Sequence, residues 1–250
     1  MEHKSGFVNI IGYPNVGKST LMNAMVGQKL SIITSKAQTT RHRIMGIVNG
    51  DDFQIVYSDT PGIVKDPSYK MHQYMNHFVD TALKDADIIL LMTEPDFQFS
   101  DKEIIEKFNS SGRKVIVVIN KIDRDGARPD WVLDQTFDLF DRLGADEHQL
   151  DFPVVYASAI QGWATDDLSN KKQNMDTIFE TIIKNVDYPN VDPNGDLQIQ
   201  ISALSYSSYV GLIGTGRIRR GQLKKGQPVS IGNVDGDARQ GKVLQIMNFH

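Results

Sequence analysis

The chain has 250 residues, of which 40% are hydrophobic and 23% charged, so its composition excludes a disordered tail or a coiled coil. Its 27 Lys and Arg oppose 31 Asp and Glu, giving a formal charge of -4 without the basic excess typical of dedicated nucleic-acid binders. The absence of cysteine excludes disulfides, zinc ribbons and thiol nucleophiles. No apolar run approaches the ~18 residues of a membrane span and no leader is recognised, so we expect a cytoplasmic protein without a transmembrane segment.

Short apolar runs alternate with helical patterns along the first three quarters of the chain. Four runs predict strands buried on both faces: Phe7–Ile11, Ile88–Met92, Val115–Ile119 and Phe152–Tyr156. Helical spacing is seen in residues 21–26, 71–82 and 133–140, and Ser100 with Glu103 is typical of a capping box. The alternation predicts an α/β fold with a mostly parallel sheet.

One segment departs from that alternation and predicts an antiparallel edge. The runs 43–48 and 53–57 flank the pair Asn49-Gly50, which is a strong hairpin signal. We therefore expect a mixed sheet that is mostly parallel.

The last quarter of the chain has a different composition. Residues 187–196 combine two prolines, a glycine and several Asp and Asn, which predicts a linker after a first domain of residues 1–186. Residues 197–250 contain short strand patterns broken by glycine turns, which predict a small, incomplete β-barrel.

The most specific motif follows the first predicted strand. It fits GxxxxGK[ST] and comprises Gly12, Tyr13, Pro14, Asn15, Val16, Gly17, Lys18, Ser19 and Thr20. The glycines let successive backbone N–H groups face a phosphate, Lys18 reaches the outer phosphates and the Ser19 hydroxyl holds Mg²⁺. A chance match is the alternative, and the strand-loop-helix context argues against it.

A second motif, Asn120-Lys121-Ile122-Asp123, indicates which base is bound. The Asp123 carboxylate can accept both donors of a guanine edge, a pair that adenine lacks, while Asn120 reaches the imidazole nitrogen and the Lys121 stem covers the ring. The expected base site is completed by the turn that follows the next strand, in which the Ala159 N–H donates to the guanine oxygen. This turn comprises Ser158, Ala159 and Ile160. A plain Lys-Asp turn is the alternative. The prediction requires Lys18 and Asp123 to lie at one edge of the sheet.

A third motif, Asp59-Thr60-Pro61-Gly62, follows the strand ending at Ser58. Asp59 is placed to hold a metal-bound water, and the Gly62 N–H is placed to meet the γ-phosphate. The alternative is a Pro-Gly turn without function.

The order of these motifs resembles the GTPases of the translation-factor-related class over residues 6 to about 160. GYPNVGKSTLMNAMVG, SKAQTTRHRIMGI and YSDTPGI resemble the Era family, whereas NKIDRDGARPDWVLDQTFDLFDRL and LQIQISALSYSSYVGLIGTGRIRRG resemble the BipA (TypA) family. We therefore predict a hybrid, recombined or designed sequence that is joined between Thr93 and Val115. An Era-like KH domain is not recognised.

The resemblance assigns further roles. It implies that Thr40, or its neighbour Thr39, binds Mg²⁺ and the γ-phosphate, so that Lys18, Thr40 and Gly62 are the catalytic residues and Ser19, Thr40 and Asp59 the metal ligands. Asn15 matches the asparagine with which potassium-dependent Era relatives hold K⁺, or it only shapes the loop. Ile63 stands where other GTPases orient water with a polar side chain, which predicts slow turnover.

These residues predict a Mg²⁺-dependent enzyme that hydrolyses GTP and has a ribosome-linked role in assembly or translation. The alternatives are a GTP-dependent binding switch, an ATPase, and two incompatible halves that bind nothing tightly. We expect a monomer. A basic cluster on one predicted hairpin is a candidate contact for rRNA phosphates: Arg217, Arg219, Arg220, Lys224 and Lys225. A solvated hairpin face is the alternative.

Overall fold

The computed structural model describes residues 3–31, 43–63, 81–95, 102–170, 174–187, 189, 191–233 and 236–247. The chain divides into two compact units, Met1–Tyr188 and Pro189–His250. Thr39, Thr40 and Ser100 lie outside the described residues, as do positions 71–80 of one predicted helix.

A seven-stranded sheet forms the centre of the first unit. Its strands are β1 Lys4–Gly12, β2 Ile44–Asn49, β3 Phe53–Asp59, β4 Ile88–Thr93, β5 Lys114–Asn120, β6 Val154–Ser158 and β7 Trp163–Thr165. Their order is β2-β3-β1-β4-β5-β6-β7, with five parallel inner strands and an antiparallel strand at each edge. The expected mixed, mostly parallel sheet is confirmed. The edge strand β7 was not predicted, because three residues are too short to display a periodicity.

Helices connect and cover these strands. They are α1 Lys18–Val26, α2 Lys102–Ser111, α3 Pro129–Arg142, α4 Glu147–Leu150 and α5 Asp176–Asn185, and residues 81–85 are also helical. All six residues of β4 are buried, as expected for a central strand that is covered on both faces. None of the described helices has the length and apolar content needed to cross a membrane.

The parallel strands bring the predicted motifs to one edge of the sheet. β1, β3, β5 and β6 run in the same direction, and each is followed by one of the motifs. Ligands of open α/β sheets bind at this carboxyl edge. The fold therefore gathers loops that are far apart in sequence.

The second unit consists of two antiparallel hairpins, β8 Gln198–Ser207 with β9 Gly211–Arg220, and β10 Pro228–Gly232 with β11 Ala238–Lys242. They form two separate two-stranded sheets, so a closed barrel remains a prediction. Several large apolar side chains of this unit are exposed, among them Leu204, Tyr206 and Leu212.

The prediction that one hairpin carries the whole basic cluster is wrong. Arg217, Arg219 and Arg220 lie on β9, which pairs with the preceding strand β8, whereas Lys224 and Lys225 lie in the connection to β10. Gly221 lies between these two groups, and the strands on its two sides belong to different sheets.

Candidate nucleotide-binding site

The loop between β1 and α1 has a backbone that requires glycine at two positions and a residue that tolerates a positive φ at a third. Gly17 has φ 100, and a Cβ there would lie 2.3 Å from Nδ2 of Asn120. A Cβ on Gly12 would lie 2.5 Å from the carbonyl oxygen of Met92. Asn15 adopts the left-handed φ of 67, which asparagine tolerates better than most residues. The motif glycines are thus required by the packing of this loop.

Lys18 is the buried cation of the loop. Its Nζ donates to the carbonyl oxygens of Gly12 at 3.2 Å and Tyr13 at 2.8 Å, so the side chain curls back over the loop. Burial lowers the pKa of Lys18 from 10.5 to about 8, and the nearby Asp59 carboxylate opposes part of this shift. The loop therefore holds an ammonium group that would gain from an anionic ligand.

The turn after β3 packs against this loop. The Ser19 hydroxyl donates to Oδ2 of Asp59 at 2.6 Å, which brings together the two predicted metal ligands inside the described chain. Thr60 Oγ1 donates to the Ile10 carbonyl at 2.7 Å, anchoring the turn to β1. A Cβ on Gly62 would lie 2.7 Å from the nitrogen of Pro14, so glycine is needed at this close approach.

Ile63 is buried, with 3% of its surface exposed, and its N–H donates to the Gly12 carbonyl at 3.2 Å. Its side chain belongs to the main apolar core. The residue that follows the Gly62 turn therefore has a packing role in this fold.

Asn120 links three of the loops. Its Nδ2 donates to the Val16 carbonyl at 2.8 Å, and its Oδ1 accepts from the Ala159 N–H at 2.9 Å. The base-side turns after β5 and β6 are thereby fastened to the phosphate loop. The sequence suggested a role for Asn120 toward the base and did not predict this bridge.

The Ala159 N–H donates to the side-chain oxygen of Asn120, which is buried and needs a donor. Its contact with a guanine oxygen stays a prediction. Ser158 is fully buried beside it, whereas the Ile160 side chain is 80% exposed.

Lys121 and Asp123 lie on the turn after β5. Lys121 has φ 65, and its Nζ donates to the Asn15 carbonyl and pairs with Glu94. Asp123 is exposed to solvent, so its carboxylate is accessible to a base. Glu94 was not singled out in the sequence, although its place directly after the central strand β4 is the signal that would have found it.

A buried polar cluster that includes Ser58, the residue before Asp59, was not predicted. Arg43 pairs with Asp85 through both carboxylate oxygens, and its Nε donates to Ser58 Oγ at 2.6 Å. Its Nη2 donates to Oδ1 of Asn9 at 3.0 Å. No sequence pattern pairs these positions, because 42 residues separate Arg43 from Asp85.

Among the described residues, no group of three or more His, Asp or Glu side chains is arranged to hold a metal ion. The oxygen donors that the described part of this site brings together are the Ser19 hydroxyl and the Asp59 carboxylate. That set suits Mg²⁺, which is bound through one or two protein oxygens plus phosphates.

Comparison with known proteins agrees with this arrangement. A family model described as "50S ribosome-binding GTPase" matches residues 7–121. The large ribosomal subunit assembly factor BipA of Haemophilus influenzae is 38% identical over 96% of this chain and 40% of its own length. The corresponding protein of Escherichia coli K12 is 37% identical, over 96% of this chain and 41% of its own. The chain thus spans about two fifths of the length of these relatives.

Solved structures give a consistent result. Era in complex with MgGDPNP and nucleotides of 16S ribosomal RNA is 28% identical with a TM-score of 0.59, over 86% of this chain and 78% of that one. The elongation factor SelB of Methanococcus maripaludis has a TM-score of 0.63 over 95% of this chain and 46% of that one, and at 16% identity it indicates the fold alone. The BipA alignment runs through the predicted join between Thr93 and Val115, and a hybrid origin stays a prediction. With the phosphate loop and the three turns packed around it, the chain is similar to P-loop GTPases of the translation-factor-related class.

Proposed function

We propose that the chain binds GTP and hydrolyses it to GDP and phosphate. The observation that carries this proposal is the bridge from Asn120 to Val16, because it holds the base-side turn beside the phosphate loop. A nucleotide joins its base to its phosphates through one ribose, so both loops must be within reach of a single ligand. The bridge and the shared edge of the sheet support this reach.

In this proposal the phosphate loop binds the anionic end of the nucleotide. The backbone N–H groups of residues 12–20 surround the phosphates, and the Lys18 ammonium moves from its carbonyl partners to the outer phosphate oxygens. Hydrolysis is an in-line attack of water on the γ-phosphate, in which positioning and charge stabilisation supply most of the rate. Gly62 and Thr40 are the proposed partners of the γ-phosphate, and Thr40 lies outside the described residues.

Mg²⁺ is the proposed cofactor, and the chemistry of the donor pair fits it. Ser19 Oγ and Asp59 Oδ2 lie 2.6 Å apart at the end of the phosphate loop, and both are hard oxygen ligands. Bound Mg²⁺ would neutralise charge that develops on the phosphate oxygens. The hydrogen bond between them holds the Ser19 hydroxyl and the Asp59 carboxylate in place for the ion. Thr40 is the further proposed ligand.

Guanine selectivity is proposed to rest on Asp123, with Ser158, Ala159 and Ile160 forming the turn beside it. The solvent exposure of Asp123 supports access by a base. GTP but not ATP should raise the melting temperature, and Asp123→Asn should shift the preference toward xanthosine nucleotides. Equal stabilisation by ATP and GTP would instead support an ATPase.

We propose K⁺ as a further cofactor held through Asn15. The exposed, left-handed position of Asn15 in the phosphate loop supports this role. Rates of GTP hydrolysis in potassium and sodium at equal ionic strength test the proposal. Identical rates would leave Asn15 with a role in loop shape alone.

A second function, a GTP-dependent binding switch with negligible turnover, is favoured by one observation. The buried Ile63 cannot orient an attacking water, because its side chain is apolar and packed in the core. Single-turnover hydrolysis measured with and without ribosomes discriminates between the two functions. No cleavage in either condition would leave the switch.

We propose a ribosome-linked role, in assembly or translation, and a cytoplasmic location. The names of the relatives support this, since BipA is a large ribosomal subunit assembly factor and Era is described in complex with ribosomal RNA. Residues 197–250 are proposed to form part of a translation-factor-like barrel, and the chain is proposed to be a monomer. Co-sedimentation with ribosomal subunits in the presence of a GTP analogue tests the ribosome-linked role.

Contact with rRNA phosphates is proposed for the basic residues of β9 and the following turn. Lys224 and Lys225 are exposed there, while Arg219 bonds to Gln200 and Arg220 lies 3.5 Å from Asp192. Replacing both lysines with methionine should weaken ribosome co-sedimentation and reduce its dependence on salt.

A further inference from the structure

Glu94 lies at the carboxyl edge of the sheet, between the strand that leads into the phosphate loop and the strand that leads into the base-side turn. It directly follows β4, and β4 is the strand between β1 and β5. The phosphate loop follows β1 and the Lys121 turn follows β5. A carboxylate at the end of β4 is therefore flanked by both loops.

Each oxygen of Glu94 has a cationic partner. Oε1 pairs with Nζ of Lys121, and Oε2 accepts from Nη1 of Arg124 at 3.0 Å. The side chains of Glu94 and Lys121 are 17% and 20% exposed, whereas Arg124 is 50% exposed. The inner pair is shielded from solvent, so its attraction is stronger than that of an ordinary surface ion pair.

The same ammonium group contacts the phosphate loop. Lys121 Nζ donates to the carbonyl of Asn15, from which it is separated by 106 residues. The Lys121 side chain therefore connects Glu94 with the phosphate loop. The adjoining backbone is fixed as well, because the Arg128 N–H donates to the Pro95 carbonyl at 2.9 Å. Glu94 and its neighbour thus fasten both ends of the base-side turn.

We propose that Glu94 is a positioning residue for nucleotide binding. Its carboxylate holds the Lys121 ammonium against the Asn15 carbonyl, so that the Lys121 stem and the two loops are ordered before a nucleotide arrives. This inference rests on the proposed function, in which the Lys121 stem covers the base. A lysine side chain loses considerable rotamer freedom when it is fixed, and an ordering cost met during folding no longer weakens binding.

The variant Glu94→Gln keeps the size of the side chain and removes its charge. We expect the Kd for a fluorescent GDP analogue and for a non-hydrolysable GTP analogue to rise by the same factor, about fivefold to tenfold, because Lys121 is on the base side. The rate of nucleotide dissociation should rise correspondingly. Arg124→Met is the matched control, since it removes only the outer partner of Glu94, and its Kd should stay within about twofold of the unmodified protein.

A double-variant comparison separates positioning from a structural role. If Glu94 acts through Lys121, Glu94→Gln/Lys121→Met should bind nucleotide as Lys121→Met does, and this comparison stands even when Glu94→Gln alone fails to fold. A further loss of affinity in the double variant, or unchanged affinity in Glu94→Gln, overturns the inference. If the unmodified protein binds no guanine nucleotide, the proposed function fails with it; if it binds and Glu94→Gln is silent, only the inference fails.

Discussion

The side-chain amide of Asn120 donates to the backbone carbonyl of Val16 at 2.8 Å, although 104 residues separate them. Both groups are buried, and the other end of the amide accepts from Ala159. One side chain therefore satisfies two backbone groups on loops that are far apart in the sequence. Its loss should affect stability and nucleotide binding at once.

Asn120→Ala should lower the free energy of unfolding by about 2–4 kcal/mol, because it leaves a buried carbonyl and a buried N–H without these partners. The affinity for GDP should fall in the same variant, since the base-side turn is released from the phosphate loop. Urea denaturation and a fluorescent GDP titration measure the two effects. Asn49→Ala is the control: Asn49 is exposed and accepts from Gln54, so its change should stay within about 0.5 kcal/mol.

Gly17→Ala should abolish measurable nucleotide binding and destabilise the fold. The new Cβ would lie 2.3 Å from Nδ2 of Asn120, which is held by its own hydrogen bond and cannot move away without breaking it. The matched control is Gly126→Ala. Gly126 also has a positive φ of 77, but nothing lies within 4 Å of the added Cβ. Its replacement should therefore lower the free energy of unfolding only by the ~1–2 kcal/mol that a left-handed backbone costs alanine. Similar losses of unfolding free energy and of nucleotide affinity in the two variants would contradict the role of the Asn120 contact.

The sequence predicted those parts of the site that depend on local pattern. The phosphate loop, the Asp59 turn and the Asn120 turn each follow a recognisable apolar strand, and parallel strands bring their ends to one edge. The antiparallel edge β2 was predicted from Asn49-Gly50, although these two residues lie before the turn: Asn49 pairs with Gln54, and the Gly50 N–H donates to the Phe53 carbonyl.

Contacts between distant side chains could not be predicted in the same way. Glu94 and Lys121 form a pair because two strands lie side by side in the sheet, and this neighbourhood has no fixed spacing in the sequence. The bond from the Ala159 N–H to the Asn120 side chain likewise joins two strand ends that have no fixed spacing in the sequence. The expectation that one hairpin carries the basic cluster was wrong because a glycine turn does not determine which strands pair across it.

The ion pair of Arg43 and Asp85 should be costly to break from one side. Their side chains are 4% and 10% exposed, so Asp85→Leu leaves an uncompensated buried guanidinium and should lower the free energy of unfolding by about 3–5 kcal/mol. The double variant Arg43→Met/Asp85→Leu should lose clearly less, because it removes both charges. Urea denaturation of the three proteins gives the comparison, with Arg142→Met as the control for an exposed pair, expected to change by at most ~1 kcal/mol. Equal losses in the single and double variants would show that the charges themselves do not matter.

Nucleotide binding should take up a proton at Lys18. Burial lowers the pKa of this lysine to about 8 in the nucleotide-free protein, and a bound phosphate favours the charged form and raises the pKa again. At pH 8 the proton uptake should be about half a proton per GDP, measured by calorimetry in buffers of different ionisation enthalpy. The affinity for GDP should weaken by up to about tenfold per pH unit above pH 8.

The stability of the nucleotide-free protein should respond to pH with the opposite sign. The folded-state pKa of Lys18, about 8, lies below its unfolded value of 10.5, so the unfolded chain binds more protons between these two pH values. The contribution of Lys18 to the free energy of unfolding therefore rises with pH through that window. Lys18→Met removes this contribution. It serves as the control, because the nucleotide and the other side chains ionise in both proteins. Parallel pH profiles of Lys18→Met and the unmodified protein, in stability and in GDP affinity, would mean that Lys18 does not titrate in this range.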